Sequence, residues 1–495
     1  MFKRYVSFAV AVALLFAGAL GRIGYIIFSG AYTVSQGYNS YAVTVDANEV
    51  QLYYRGGEKI NNNVQQITAI IRPVTADLAA IQNVYSPKQI KSITAELSEG
   101  YPVVHTISTK ETSLKTFDTY QTDTTLKQFI SRDSSGFLQH IDGYKRELKV
   151  SYHIDAKGRL LSGDNGTADY GNYLSREGYI MTFDRSIQQV AFNAAKTINK
   201  GCVLVFDANN AELLACVTKP SSTYVNKPVN QYCVGSVFKV VIAACALENG
   251  VDINYNCTGS IKVGDTVFSC QKHRAHGSEN LETALANSCN CYFANLALNL
   301  GADKILATAK RLGFDGRIDF CDNWSLRNSH LPTRSDLASD GELALLGFGQ
   351  GKLTATPVQI GAMLCAVANG GKYNMPTVVK AKKERNGSTT EIKKAAAVQA
   401  VSTETANTLC RYLRTAVYSG TAYSAETADR KAAGKTGTAQ TGQYKNGTEL
   451  CNTWFAGIYP YDNPKCCIVV MCEEGRSGAE DCCPVFRTVV ENLEE

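Results

Sequence analysis

Three short groups of residues, which follow one another along the chain, contain the side chains needed for acyl transfer. They are Ser236-Val237-Phe238-Lys239, Ser288-Cys289-Asn290 and Lys435-Thr436-Gly437-Thr438. A serine hydroxyl is a weak nucleophile that must be activated by a neighbouring base, and a lysine amine with a lowered pKa can be that base. Each group alone is unremarkable in a chain of this length, given ordinary residue usage. Their combination in this order predicts a serine-dependent acyltransferase site.

The first group is predicted to lie at the beginning of a helix. The apolar run Val237 to Leu247 ends at Asn249-Gly250, which is typical of a helix C-terminus. Lys239 follows Ser236 by one turn, so its amine is expected to reach the hydroxyl. To act as a base the lysine needs a pKa well below about 10.4, and burial or a nearby cation such as Lys435 would lower it. The alternative is a helix-capping serine with a solvated lysine, which the two later groups disfavour.

The second group is predicted to lie at a junction of two helices. Helical patterns run from Glu279 to Asn287 and from Cys291 to Leu300, with the group between them. The hydroxyl of Ser288 is suited to relay a proton to a leaving amine, and the amide of Asn290 is suited to hold a peptide. Taken alone, this group would be read as a helix N-cap.

The third group is predicted to form a strand of an antiparallel meander. A polar turn from Gly442 to Gly447 follows it, and two further strands are expected at Thr453 to Tyr459 and Cys466 to Cys472. A peptide substrate could pair with such a strand at the edge of a sheet. A strand that is bounded by a turn and has no role in catalysis is the alternative.

Each member of the third group has an expected role. Lys435, Thr436 and Thr438 are predicted to bind a substrate carboxylate, and Gly437 permits close approach of the backbone. The backbone amides of Thr438 and Ser236 are predicted to form an oxyanion hole.

On these motifs the chain resembles the class B penicillin-binding proteins, whose transpeptidase domain is similar to residues 181–495. Further family markers are Gly349-Gln350-Gly351, Thr356-Pro357-Val358-Gln359 and Trp454-Phe455-Ala456-Gly457. At Val234 and Val237 the chain differs from the residues that the family usually has around the serine. The resemblance implies an α/β (α+β) fold with an antiparallel sheet flanked by helices, as in β-lactamases and transpeptidases. It also implies that Ser236 attacks the D-Ala-D-Ala end of a peptidoglycan stem peptide, that a second stem peptide accepts the acyl group, and that β-lactams acylate the same serine.

Other functions share this fold and remain open. A D,D-carboxypeptidase uses the same residues with water as the acceptor, and a serine β-lactamase also requires a group that activates water. The membrane anchor and the long N-terminal region argue against a β-lactamase. A non-catalytic cell-wall scaffold or β-lactam receptor is disfavoured because every catalytic position carries the residue of the family.

Three regions are expected along the 495 residues. Residues 1–28 are predicted to be a cytoplasmic tip and single transmembrane anchor, because Lys3-Arg4 precedes a largely apolar stretch, Tyr5 to Phe28; a cleaved signal peptide is the alternative. Residues 29–180 are predicted to form a mixed pedestal domain that lifts residues 181–495 away from the outer face of the membrane. No glycosyltransferase domain is expected before residue 181, which implies a separate membrane glycosyltransferase partner.

The chain has a net charge of +5 but no dense block of basic residues, so nucleic-acid binding is not indicated.

Cysteine usage is unusual for an exported protein, since all 17 cysteines lie between Cys202 and Cys483. Cys257, Cys270, His273 and His276 have the spacing C-x12-C-x2-H-x2-H, which could ligate zinc. A Cys257–Cys270 disulfide or two free thiols are favoured over zinc at these positions. The proposed acyl-transfer chemistry needs no cofactor and no metal.

Overall fold

The computed structural model describes residues 2–28, 39–48, 50–61, 64–121, 124–131, 136–141, 146–314, 317–321, 324–326 and 329–493. The helices within these residues are α1 Phe2–Phe28, α2 Thr75–Ala80, α3 Pro87–Leu97, α4 Lys127–Ile130, α5 Arg185–Ala194, α6 Lys239–Glu248, α7 Leu281–Ala286, α8 Asn290–Leu300, α9 Ala302–Arg311, α10 Asp340–Gly347, α11 Pro357–Ala368, α12 Thr403–Tyr418, α13 Gly478–Asp481 and α14 Cys483–Leu493.

The strands, again in chain order, are β1 Ser40–Asn48, β2 Gln51–Tyr53, β3 Val64–Ile71, β4 Val103–Ile107, β5 Lys115–Gln121, β6 Arg146–His153, β7 Thr167–Asp169, β8 Gly178–Met181, β9 Gly201–Asp207, β10 Leu213–Lys219, β11 Tyr232–Cys233, β12 Tyr255–Cys257, β13 Ser260–Val263, β14 Thr266–Ser269, β15 Gly277–Glu279, β16 Ile318–Cys321, β17 Trp324–Leu326, β18 Thr354–Ala355, β19 Lys372–Tyr373, β20 Val379–Lys383, β21 Thr389–Glu391, β22 Val398–Gln399, β23 Ala433–Lys445, β24 Thr448–Tyr459 and β25 Cys466–Cys472.

These elements form two compact units, of which the first comprises Met1–Asn48, Gln65–Tyr120 and Arg146–Leu174. It contains two three-stranded sheets, β1-β6-β7 and β4-β3-β5. Strand β6 alternates buried and partly exposed side chains, with Leu148, Val150 and Tyr152 turned into a small apolar core. No helix in the described part of the chain is both long and apolar enough to cross a membrane.

The second unit comprises Glu49–Val64, Gln121–Lys145 and Ser175–Glu495, and it is built around a five-stranded sheet. The strand order is β10-β9-β25-β24-β23, with every neighbouring pair antiparallel. The predicted meander of β23, β24 and β25 is therefore confirmed, and β23 lies at the edge of the sheet. The mixed α/β fold class is confirmed as well.

Helices cover both faces of this sheet. Along β25, Cys467, Val469 and Met471 face one apolar core, and the alternate residues Ile468 and Val470 face a second. Because successive side chains of a strand point to opposite faces, a strand that is buried on both sides reads as one continuous apolar run. The sheet is consequently a rigid platform for the residues carried by its edge strand.

The predicted polar turn after the third motif is shorter than expected. Strand β23 continues to Lys445, and only Asn446 and Gly447 connect it to β24, with φ of 51° and 78°. Two central residues with positive φ define the tight turn that suits the twist of a β-hairpin. The prediction of a turn starting at Gly442 is therefore wrong, because the polar residues there lie on an exposed extension of the hairpin.

Candidate active site

Ser236 lies in a short 3-10 turn, Gly235–Phe238, that leads directly into α6. The helix begins later than the apolar run suggested, and it ends as predicted at Asn249 and Gly250. Gly235 has a φ of 60°, and a Cβ atom at this position would lie 3.0 Å from the Cβ of Ala439. A glycine is thus required for the turn to pack against β23, and this packing brings Ser236 to the edge strand.

The Gly349-Gln350-Gly351 segment supports this turn from the opposite side. The amide of Gly235 donates a hydrogen bond of 2.9 Å to the carbonyl of Gly349. A Cβ atom on Gly349 would lie only 2.0 Å from the carbonyl oxygen of Gly235. The first glycine of this family marker is therefore explained by close backbone contact with the turn that holds Ser236.

Lys239 is fully buried and its amine is held by the second motif. Its Nζ donates to the carbonyl of Ser288 at 2.7 Å and to Oδ1 of Asn290 at 2.7 Å, with Oγ of Ser288 at 3.3 Å. Burial lowers the pKa of Lys239 to about 8. Among the described residues the hydroxyl of Ser236 has no hydrogen-bond partner, so the expected contact between Ser236 and Lys239 is not formed in this structure.

The second motif lies at the junction of α7 and α8, as predicted. Ser288 has a φ of 56°, a strained backbone conformation that is often stored at functional sites. The thiol of Cys289 accepts a hydrogen bond of 3.4 Å from the amide of Tyr292 and so caps α8. The amide of Asn290 donates to the carbonyl of Ser269 at 2.9 Å while its oxygen accepts from Lys239, so the side chain is fixed at both ends.

The members of the third motif differ in how they face the cleft. Lys435 is fully buried and donates a hydrogen bond of 3.0 Å to the carbonyl of Thr436. Burial, followed by the charge of Lys239, lowers the pKa of Lys435 well below its usual range. Thr436 and Thr438 line the cleft, whereas Lys435 lies behind it. Direct contact between a substrate carboxylate and Lys435 stays a prediction.

These residues surround one cleft of about 890 Å³, which is large enough for a peptide end. Ser236, Ser288, Asn290, Thr436 and Thr438 line it together. The structure thus brings a half-buried serine hydroxyl, a buried amine of lowered pKa and a second serine hydroxyl to one place. This arrangement is suited to acyl transfer through a serine ester.

The comparison with protein families agrees with this geometry. Residues 201–491, more than half of the chain, match the family described as "Penicillin binding protein transpeptidase domain". The chain belongs to this family. The resemblance to class B penicillin-binding proteins is therefore confirmed.

Named relatives of this penicillin-binding protein include stage V sporulation protein D of Bacillus subtilis, which is 25% identical over 98% of this chain and 83% of the relative. Peptidoglycan D,D-transpeptidase MrdA of Haemophilus influenzae is 26% identical over 63% of this chain. The match spans about half of MrdA, 55% of its length.

Solved structures share the fold of this penicillin-binding protein. The D,D-transpeptidase domain of a peptidoglycan glycosyltransferase from Eggerthella lenta has a TM-score of 0.62 and 22% identity, over 90% of this chain and 97% of the other. Penicillin-binding protein A of M. tuberculosis, solved as its ceftriaxone acyl-enzyme, has a TM-score of 0.59 and 22% identity, over 64% of this chain and 80% of the other. The predicted transpeptidase-like fold is confirmed by these similarities.

Two parts of the cleft in this penicillin-binding protein were missed by sequence reasoning. The hydroxyls of Thr421 and Thr436 lie 3.0 Å apart, and Thr421 also lines the cleft. Gly478 also lines the cleft, and a Cβ atom there would lie 2.2 Å from the carbonyl oxygen of Trp454 and 2.9 Å from that of Gly437. The available signals were the small-residue pairs Gly-Thr and Ser-Gly, which are too common to single out in one sequence.

One group of side chains in this penicillin-binding protein could hold a metal ion. Cys257, Cys270 and His276 lie together as the spacing allowed, but the fourth member of the group is Cys289. His273 is exposed and is not part of it. The cysteine of the second motif could not be assigned to this group from the sequence because it is brought there only by the fold.

Proposed function

We propose that this protein is a serine-type peptidoglycan D,D-transpeptidase that cross-links stem peptides and is acylated by β-lactams. The observation that carries the proposal is the position of Ser236, whose free hydroxyl lines the cleft beside the network of Lys239, Ser288 and Asn290. The curated relative MrdA carries the name peptidoglycan D,D-transpeptidase, which supports the substrate class.

In the first half of the reaction, Oγ of Ser236 attacks the carbonyl carbon of the penultimate D-alanine. The hydroxyl proton passes to the neutral amine of Lys239, for which its lowered pKa is suited. The backbone amides of Ser236 and Thr438 stabilise the negative charge on the carbonyl oxygen. The peptide C–N bond then breaks, and the terminal D-alanine leaves after its amine receives a proton through the hydroxyl of Ser288.

In the second half, the amine of a neighbouring stem peptide attacks the serine ester. Its proton returns through the same groups to Oγ of Ser236, the ester C–O bond breaks, and the new peptide bond is the cross-link. The donor peptide is expected to pair with the edge strand β23 in both halves, and the carboxylate of its terminal D-alanine is expected to contact Thr436 and Thr438 before that residue leaves in the first half. A β-lactam follows the first half only, because its ring opens without releasing the group that must leave.

The proposal includes the location of the protein. On its sequence alone, the apolar run Tyr5 to Phe28 after Lys3-Arg4 is proposed to anchor the chain with residues 29–495 outside the cytoplasm. Residues 29–180 act as the pedestal, and a membrane glycosyltransferase supplies the glycan strands. Membrane fractionation tests the anchor: the full chain should sediment with membranes, and a chain that lacks residues 1–28 should be released.

The function is tested with the purified protein and a fluorescent penicillin. Wild type should acquire a persistent covalent label, and Ser236→Ala should acquire none, with Ser335→Ala as a control for an exposed serine outside the cleft. Incubation with a stem peptide and an amine acceptor should release D-alanine and form the cross-linked product. Hydrolysis without cross-linking would indicate a D,D-carboxypeptidase, rapid turnover of the drug a β-lactamase, and absence of any label in folded wild type a scaffold.

A further inference from the structure

A cluster of thiols and one imidazole lies beside the second motif, outside the groups that the mechanism uses. The ligand atoms of Cys257, Cys270, His276 and Cys289 all lie within 4.8 Å of one another. The three cysteine side chains are 0–3% exposed. None of these four side chains is needed for acyl transfer, so their convergence calls for another explanation.

The distances in the cluster fit the edges of a tetrahedron around one metal ion. Zinc–sulfur bonds of about 2.3 Å and zinc–nitrogen bonds of about 2.0 Å place two sulfurs about 3.8 Å apart, and a sulfur and a nitrogen about 3.5 Å apart, in tetrahedral geometry. The observed separations are 3.7 Å from Cys257 to Cys270, 3.7 Å from Cys270 to Cys289, and 3.5 Å from Sγ of Cys257 to Nδ1 of His276. Three of the six separations among the four atoms therefore match ligand spacing, and the other three are no longer than 4.8 Å.

A disulfide accounts for the cluster less well. Bonded sulfurs lie about 2.05 Å apart, and a sulfur can form only one such bond. Cys270 instead has three sulfurs at similar distances: Cys257 at 3.7 Å, Cys289 at 3.7 Å and Cys291 at 3.5 Å. Two of these sulfurs, those of Cys257 and Cys289, belong with Cys270 and His276 to one group of converging ligand atoms, which a shared ion explains better than a pairwise bond.

We propose that Cys257, Cys270, His276 and Cys289 bind a zinc ion in a closed, four-coordinate structural site. Three thiolates and one imidazole are a ligand set that zinc prefers, and it leaves no open position for catalysis on the metal. Binding displaces the protons of the three thiols, so affinity should rise with pH.

The proposed site joins three separate segments to the second motif, Ser288-Cys289-Asn290. Cys257 ends β12, Cys270 directly follows β14, and His276 directly precedes β15, whereas Cys289 lies between Ser288 and Asn290. The strands around the proposed site are short and build little core of their own. One bound ion would hold these segments together instead.

The ion would also position the groups that hold Lys239, a consequence that rests on the proposed function. Asn290 donates to the carbonyl of Ser269, and the residues next in sequence to this pair, Cys289 and Cys270, are both proposed ligands. The metal thus fixes both ends of the hydrogen bond that orients Asn290 towards the amine of Lys239. The ligands are positioning residues and take no part in bond making.

Metal content of the full-length protein, purified under reducing conditions, tests the site directly. Wild type should contain about one zinc per chain by mass spectrometry of the metal. After removal of zinc, added Co²⁺ should give the intense visible and near-ultraviolet bands of tetrahedral thiolate ligation. Absence of stoichiometric metal in wild type, or a Cys257–Cys270 disulfide in the intact protein, would overturn the proposal.

Variants separate this site from an adventitious one. Cys257→Ser and His276→Ala should lower the metal content at least tenfold at limiting zinc, while His273→Ala, which removes the histidine that only the spacing suggested, should keep it. Cys410→Ala is the matched control for a buried cysteine in α12. Equal metal in all four variants would refute the assignment. Because wild type is measured first, a variant that fails to fold leaves the test intact.

Loss of metal should also lower the rate of penicillin acylation several-fold while far-ultraviolet circular dichroism is unchanged, and added zinc should restore it. If metal is bound but its removal leaves acylation unchanged, the positioning effect is wrong and the site stands. If metal is bound and no acylation occurs with metal present, the proposed function fails and the site again stands.

Discussion

Two opposing effects act on the pKa of the Lys239 amine. Its amine makes short hydrogen bonds to two oxygen acceptors of the second motif, which favour the charged form, while complete burial favours the neutral form. Burial has the larger effect and brings the pKa to about 8. With this pKa, about a tenth of the amine is neutral at pH 7 and able to accept a proton.

The first prediction concerns the pH dependence of acylation. Because the base is the neutral amine, the rate constant for penicillin acylation should rise about tenfold per pH unit below pH 8 and level off above it. Stopped-flow fluorescence between pH 6 and 9.5 measures this profile. Lys352→Met, which removes an exposed lysine paired with Asp336, should leave the profile unchanged. A rate that is independent of pH across this range would contradict the role of Lys239.

At the residue scale, motif spacing in the sequence predicted which residues line the cleft better than how their side chains are oriented and packed. Ser236, Ser288 and Thr438 were predicted from motif order, and the fold brings all three to one cleft. The burial of Lys435 behind the wall, and the meeting of Cys289 with His276, depend on how separate segments pack. A local pattern contains no information on such packing.

Strand β23 is the element that the site depends on most, because backbone segments approach it from two sides. The turn before α6 packs against it through Gly235, and the beginning of α13 packs against it through Gly478. At each contact, a backbone atom or a Cβ atom lies within about 3 Å of the position that a Cβ on the glycine would occupy, so there is no room for a side chain. The edge strand is consequently held in place by both segments.

The second prediction tests this close approach. Gly478→Ala places a Cβ atom 2.2 Å from the carbonyl oxygen of Trp454, which is backbone and cannot turn aside. We expect a loss of about 1–3 kcal/mol in the free energy of unfolding and slower acylation, as α13 is displaced from β23. Urea denaturation and penicillin labelling measure the two effects.

The control for this substitution is Gly341→Ala in α10. A Cβ atom there has its nearest neighbour at 4.0 Å, and a helical alanine is favoured over glycine. Stability should stay equal or rise. Equal behaviour of the two variants would show that the contact at Gly478 is looser than the structure indicates.

The third prediction concerns the loop that follows α12. Thr421→Val removes the hydroxyl that lies 3.0 Å from the hydroxyl of Thr436. The free energy of unfolding should fall by about 1 kcal/mol, and the acylation rate should fall a few-fold because Thr436 loses its orientation. Thr488→Val, on the exposed side of α14, is the matched control and should change neither. Unchanged acylation in Thr421→Val would exclude a role for this loop in the cleft.

At the element scale, the sheet could be predicted but its limits could not. The continuous apolar run of β25 and the largely apolar second half of β24 are strong signals, because both follow from burial on two faces. The end of β23 was misjudged because its last residues are polar and exposed, and Asn446-Gly447 was the better turn signal. Exposed hairpin extensions have no burial pattern from which their length can be inferred.

At the scale of the whole molecule, each compact unit has an apolar core of its own. The first unit buries residues such as Ile71, Ile93 and Val150, and the second buries the two faces of its five-stranded sheet. Segments 49–64 and 121–145 belong to the second unit although they precede residue 175. Such membership depends on pairings distant in sequence, for example β2 with β8, which no single-sequence pattern predicts.

The last prediction follows from these separate cores. A slowly hydrolysed β-lactam reacts with Ser236 only while the second unit is folded. Acylation should therefore raise the unfolding temperature of that unit. Differential scanning calorimetry should show two transitions, since units with their own cores need not unfold together. The drug should shift the larger transition by several degrees and leave the smaller one in place.

Ser236→Ala provides the control for this experiment. Its thermogram should be unchanged by the drug, because no covalent bond forms. A single transition that moves as a whole on acylation would show that the two units unfold as one cooperative body. A shift in the smaller transition alone would place the drug outside the cleft that contains Ser236.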